Sequence, residues 1–94
     1  VVVGGSQSSG DALGFHLMQY TLDTSSNHGD LSGGVVVADG GSMSDANEDK
    51  ILVSSLSVNY SNNSISSGKV LLFTVESDST DDISVNATIK YNII

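Results

Sequence analysis

The chain has 94 residues, enough for one modest hydrophobic core and too few for two. Eleven acidic residues stand against three lysines and no arginine, giving a net charge of −8, and there is no cysteine. Nucleic acids and anionic membrane surfaces are therefore excluded as partners, and disulfides and thiolate zinc sites are excluded as well. No run approaches the ~20 apolar residues of a membrane-spanning helix. Because the first residue is valine rather than methionine, we expect a processed, exported protein at the cell surface.

The N-terminal segment combines a short strand with a linker. Val1, Val2 and Val3 favour an extended conformation, and residues 4–10 have the glycine- and serine-rich composition of a flexible linker. Such a strand either belongs to the sheet of its own domain or is donated to the sheet of a neighbouring subunit. Both arrangements are open. We divide the chain into a strand with its linker at residues 1–10 and a β-sandwich domain at residues 11–94.

Two strands are predicted in the first half of the domain. Residues 13–22 alternate between apolar and polar positions, but the phase of the alternation changes after Leu17, which is typical of a β-bulge or of a strand that changes sheets. Residues 31–38 contain a buried triplet of valines, and the Asp-Gly-Gly sequence at 39–41 predicts a turn after them. The polar residues 40–50 are expected to form a loop.

Three further strands are predicted in the second half. Residues 51–60 form one, paired through a turn at 62–68 with residues 70–75, whose two apolar faces predict a central strand covered on both sides. Strict alternation from residue 83 to residue 93 predicts a long final strand with one buried face. Since no segment has a convincing helical period, the chain is predicted to be an all-β, Ig-like β-sandwich of about six to seven strands.

Three Asn-x-Ser/Thr sequons, at Asn59, Asn62 and Asn86, are candidate glycosylation sites. The chain is rich in asparagine, serine and threonine, so their placement carries more weight than their number. Asn62 lies in a predicted turn and Asn86 on the polar face of the final strand, where a glycan has room. We expect N-linked glycans if the protein is exported to a compartment that attaches them.

Two acidic segments are candidates for calcium binding. Residues 45–49 begin like a Ca²⁺-binding loop, but Lys50 and Leu56 stand where a helix-loop-helix site needs glycine and a bidentate carboxylate. A looser loop site there, or at residues 78–82, stays open beside the simpler interpretation of a solvated acidic loop. We assign no metal site and no cofactor.

His16 and His28 are the candidates for catalysis. We interpret His16 as a side chain on a sheet face and His28 as a turn residue, because no nucleophile elbow, phosphate-binding loop or paired metal-ligand histidine accompanies them. No catalytic residue is assigned, and we expect that the protein is not an enzyme.

The segment 51–58, followed by residues 65–75, resembles the middle of cohesin-type modules, in which a strand leads through a glycine turn into a leucine-rich strand. The resemblance implies a cell-surface adhesion or scaffold-binding module whose loops contact the partner.

The three N-terminal valines, the linker after them and the three sequons resemble a second family, the thread-like extracellular filament subunits of archaea. Those subunits are short, glycosylated, cysteine-free Ig-like domains whose N-terminal strand inserts into the next subunit. This resemblance implies a filament or pilus made of copies of the chain by donor-strand complementation. It is our leading hypothesis, and the cohesin-like module is the alternative.

Overall fold

A computed structural model describes residues 1–5, 12–23, 25, 29–43, 51–78 and 83–94. These residues form two antiparallel sheets, a three-stranded sheet in the order β4-β1-β7 and a four-stranded sheet in the order β5-β3-β2-β6. The strands are β1 (Val2–Gly5), β2 (Leu13–Asp23), β3 (Asp30–Met43), β4 (Leu52–Val53), β5 (Ser57–Val58), β6 (Lys69–Ser77) and β7 (Ile83–Asn86). The predicted all-β sandwich is confirmed. In the described part of the chain, no helix is long and apolar enough to cross a membrane.

The core lies between the two sheets and has two adjoining clusters. Val3 from β1 packs with Leu13 and Phe15 from β2, and each of these three side chains is at most 1% exposed. The second cluster, farther along β2, contains Leu17 and two residues of β3. The rings of Phe15 and Phe73 stack with their centroids 6.0 Å apart and link β2 to β6. The core is thus built largely from alternate residues of β2.

The β-bulge that the sequence places in β2 lies instead in its partner β3. β2 pairs with β6 without interruption, whereas its 11 residues lie opposite 14 residues of β3 with three register shifts. Each shift places an extra residue in β3. The apolar phase changes after Leu17 because the next inward position holds a polar residue, Gln19, which is only 6% exposed.

The turn predicted at residues 39–41 is wrong, because β3 continues through it to Met43. Asp39 lies opposite His16 in the ladder and Gly40 lies opposite Phe15. A Cβ atom on Gly40 would come within 3.2 Å of Leu56 Cγ, so the glycine makes room for side chains of the core. The Asp-Gly-Gly sequence, which is typical of turns, here serves close packing inside a strand.

The two strands predicted between residues 51 and 75 differ from the observed ones. Residues 51–60 divide between both sheets, since β4 pairs with β1 and β5 pairs with β3. β6 has β2 as its partner in the sheet, so it is an edge strand of the described sheet rather than a central one. Its apolar residues Leu71, Leu72 and Val75 are accordingly each about 40% exposed.

The long C-terminal strand is also shorter than predicted. β7 ends at Asn86, which lies opposite Val2, and residues 87–94 belong to no strand. Val1 cannot extend this ladder because both of its backbone groups bond to Ser54 on the opposite side of β1. The apolar–polar alternation from residue 83 to residue 93 therefore extends beyond Asn86, the last residue that pairs with β1 in the described chain.

Candidate assembly site around the N-terminal strand

β1 occupies the middle of the three-stranded sheet. On one side Val2 and Val3 lie opposite Val53 and Leu52 of β4, and on the other side residues 2–5 lie opposite residues 86–83 of β7. β4 and β7 are neighbours of β1 and not of each other. Within a single chain the strand thus completes its own sheet, one of the two arrangements that the sequence leaves open. Donation stays a prediction, because an exchanged strand makes the same contacts in a neighbour.

The side chain of Val3 anchors β1 to the body of the domain. It is completely buried against Leu13 and Phe15, whereas Val2 on the opposite face is 38% exposed. Burial of a valine side chain contributes about 1.5 to 3 kcal/mol, which comes in addition to the main-chain hydrogen bonds of a central strand. A five-residue segment therefore holds a large share of the contacts of this sheet.

The strand is longer than the three valines. Gly4 and Gly5, assigned to the linker from composition, lie opposite Ser84 and Ile83 in the ladder with β7. Gly5 has a φ of 114°, a conformation that favours glycine and in which the strand ends. The rest of the predicted linker, residues 6–10, lies outside the described residues.

A groove continues the position of β1 beyond Val1. It has a volume of about 380 Å³, with residues 54–58 on one side and residues 87–90 on the other. Its apolar lining includes Leu17, Ala38 and Phe73 from the four-stranded sheet. Val1 N donates to Ser54 O at 2.8 Å, and Ser54 N donates to Val1 O at 2.9 Å, so the ladder reaches the mouth of the groove. The slot between the two neighbouring segments is therefore longer than β1.

The three sequons lie in different surroundings. Asn86 is exposed on β7, and Asn59 is exposed in a turn, where its Oδ1 accepts the N–H of Ser61 at 3.0 Å. Asn62 is half-buried, and the Nδ2 atom that would carry a sugar donates to Val36 O at 3.2 Å. Glycosylation stays a prediction for all three, with more room at Asn59 and Asn86 than at Asn62.

His16 lies on the outer face of the four-stranded sheet, between two carboxylates. Its Nδ1 is 2.6 Å from Asp39 Oδ1 and its Nε2 is 3.6 Å from Glu76 Oε2. Both carboxylates are more than half exposed. In the described residues, no group of three His, Asp or Glu side chains is arranged to hold a metal ion. The imidazole and the two carboxylates form a polar cluster on the outer face of the sheet.

Sequence reasoning missed this cluster because its members come from three strands. Asp39 lies opposite His16 in the β2–β3 ladder, and Glu76 lies opposite Gly14, two residues before His16, in the β2–β6 ladder. Only the strand registers bring them together. The other candidates from the sequence, His28, residues 45–49 and residues 81–82, lie outside the described residues.

The outer face of the four-stranded sheet also carries apolar side chains. Met18 lies opposite Leu72 and Val36, and Tyr20 lies opposite Val70, so these five residues share the face that points away from the core. Tyr20 packs on Gly34, where an added Cβ would lie within van der Waals overlap of the ring. The face is a flat, partly exposed apolar surface bordered by the charged side chains around His16.

Comparison of the chain with protein-family models, with curated proteins and with solved structures found no match.

Proposed function

We propose that the protein is a structural subunit of an extracellular filament or pilus, assembled when β1 of one copy enters the three-stranded sheet of the next. The position of β1 carries the proposal. A strand at one end of the described chain lies between two strands that do not pair with each other, so its transfer opens a slot in its own domain that β1 of another copy can fill. Copies of the chain are the partners, and no active site is required.

The energetics of exchange support such an assembly. A donated β1 makes in the neighbour the same ladder with β4 and β7, and buries Val3 against the same core residues, as it does in its own domain. The enthalpy of these contacts is therefore nearly unchanged, and concentration decides between the closed monomer and the exchanged form.

The connection between β1 and β2 permits the transfer. Residues 6–12 separate the two strands, and seven extended residues span about 24 Å. This length reaches from one domain to an adjacent one. Head-to-tail donation produces an open chain of subunits when the rotation between successive subunits does not close a ring. The exposed Asn59 and Asn86 would carry glycans on the outside of that filament.

Removal of residues 1–5 tests the proposal. We expect the shortened protein to form no filaments by electron microscopy and to bind an added peptide of residues 1–10 when refolded with it, because the peptide restores the central strand. The matched control is the same peptide with Val3→Asp, which places a charge at the fully buried position. Filaments formed by the shortened protein would refute donation, as would a full-length protein that is monomeric by light scattering at all concentrations.

The outer face of the four-stranded sheet favours the alternative function, a monomeric cell-surface adhesion or scaffold-binding module. Met18, Tyr20 and Leu72 present an apolar surface of the kind that marks binding sites on soluble domains. This function predicts a monomer at every concentration, which the light-scattering measurement separates from the filament. It differs from the loop contacts implied by the cohesin-type resemblance, because the binding surface is a sheet face.

A further inference from the structure

From the edge of β7 and the segment after it, we infer a second interface, in which residues 84–94 of two copies pair antiparallel across a twofold axis. β7 is an edge strand of the three-stranded sheet, and no strand in the described residues pairs with its outer side or with residues 87–94. Tyr91, Ile93 and Ile94 are 78% to 109% exposed. Exposed sheet edges with apolar alternation are prone to pair with another strand.

The charge distribution of the C-terminal segment favours a second copy as the partner. All eleven acidic residues lie between residues 11 and 82, and residues 83–94 carry a single charged side chain, that of Lys90. Two copies of a chain with a net charge of −8 repel each other over most of their surfaces. Pairing of residues 84–94 with the same residues of a second copy therefore brings no two carboxylates together.

The hydrogen-bonding direction of β7 restricts the possible registers. Val1 directs both backbone groups toward Ser54, so Val2 directs its groups toward β7 and bonds to Asn86. Even-numbered residues of β7 therefore bond to β1, while Val85 directs its N–H and C=O groups outward. If β7 were extended in the same conformation, the odd-numbered residues after it would do the same. In a twofold pair, odd-numbered residues must lie opposite odd-numbered residues.

Among the registers that satisfy this condition, we choose one that pairs all of residues 84–94 and separates the lysines. It centres the axis on Ile89, which lies opposite Ile89 of the second copy and places Lys90 opposite Thr88. Ala87 then lies opposite Tyr91, which combines a small and a large side chain on the same face. A register that placed Lys90 opposite Lys90 of the second copy would bring two ammonium groups together. The two three-stranded sheets become one six-stranded sheet.

Cysteine crosslinking tests the register, because the natural chain contains no cysteine. Thr88→Cys and Lys90→Cys are prepared separately, and we expect a disulfide-linked dimer when the two are mixed under mild oxidation. Opposed residues of a non-hydrogen-bonded pair have Cα atoms about 4.5 Å apart, within the range that a disulfide spans. Either variant alone is expected to crosslink much less, since its cysteines are offset by two residues. Equal crosslinking of the mixture and the single variants would overturn the register.

Proline substitutions test the interface itself by sedimentation equilibrium. Ile89→Pro removes an N–H that faces the second copy on the axis, so we expect the dimer dissociation constant to rise about tenfold or more. The matched control is Thr88→Pro, whose N–H faces away from the second copy and whose dissociation constant should stay near that of the natural chain. A monomeric natural chain, or equal effects of both substitutions, would overturn the inference.

The tests of this lateral interface and of strand donation give different results. Deletion of residues 1–5 removes the proposed filament contact, while Ile89→Pro removes the lateral contact and leaves β1 intact. Loss of dimers with retained filaments, or the reverse, identifies which of the two interfaces exists.

Discussion

A turn at residues 59–62 compensates for one of the bulges in β3. The extra residue at Val37 interrupts the β2–β3 ladder between Leu17 and Met18. Asn59 N donates to Val37 O at 2.8 Å and Asn62 Nδ2 donates to Val36 O, so both carbonyl groups keep partners. Asn62 O in turn accepts the buried Gln19 Nε2 at 2.6 Å. Carbonyl and amide groups at partly buried positions are costly without such partners.

Replacement of Asn62 by alanine should therefore destabilise the fold. We expect Asn62→Ala to lower the free energy of unfolding by about 1 to 2 kcal/mol, because Val36 O loses its donor. Urea denaturation of the non-glycosylated protein measures the change. Asn63→Ala is the matched control, since Asn63 is an exposed neighbour in the same segment and its loss should cost little. Equal destabilisation by the two substitutions would contradict the role given to Asn62.

Asp23 at the end of β2 has a comparable local role. The side chain and backbone N–H of Ser25 both donate hydrogen bonds to its carboxylate, and these lower the pKa of Asp23 below its ordinary value. A carboxyl group with a lowered pKa in the folded state contributes stability above its unfolded pKa. That contribution is lost as the pH falls through the folded pKa.

At the scale of strands, the contrast between Val2 and Val3 measures how strongly β1 is held. Val3→Ala leaves a cavity next to Leu13 and Phe15, and we expect a loss of about 1 to 3 kcal/mol in the free energy of unfolding. Val2→Ala changes the same strand at a position that is 38% exposed and should cost clearly less. Chemical denaturation of dilute monomer compares the two substitutions. A larger loss of stability for Val2→Ala would show that the side chain of Val2, and not that of Val3, faces the core.

Alternation in the sequence predicted which segments are strands more accurately than how they pair. Residues 13–22 coincide closely with β2, because one face of that strand is buried along most of its length. Pairing failed for β6, because a run that is apolar on both faces also suits an edge strand with partly exposed residues. The turn predicted at Gly40 was wrong for a related reason. Glycine is suited both to turns and to close packing inside a strand, and composition alone does not distinguish the two.

The candidate site was predicted in part. The valines at 1–3 predicted a strand that belongs either to its own sheet or to a neighbour's, but its central position between β4 and β7 depends on contacts across about 50 and 80 residues of chain. The cluster around His16 likewise depends on the registers of two ladders. Strand register is set by tertiary packing, which a local pattern does not contain.

At the scale of the whole molecule, net charge should control assembly. Copies that each carry a charge of −8 repel one another, and salt screens this repulsion with a Debye length of about 10 Å at 0.1 M. We expect the assembled fraction at a fixed protein concentration to increase between low salt and 0.5 M sodium chloride, measured by light scattering. Assembly that weakens with added salt would instead indicate contacts between opposite charges.

The central position of β1 also affects how the chain folds as it is synthesised. β1 is synthesised before both of its neighbours in the sheet, since Leu52 and Val53 follow it by about 50 residues and residues 83–86 by about 80. At ~5 to 20 residues per second, the strand waits for several seconds before its sheet exists. All strands of the four-stranded sheet are synthesised within this interval, the last of them ending at Ser77. Under the proposed donation, the valines would meanwhile be available to a folded neighbour with an open slot. Under the proposed strand donation, this order of synthesis would leave time for exchange between subunits before the monomer closes.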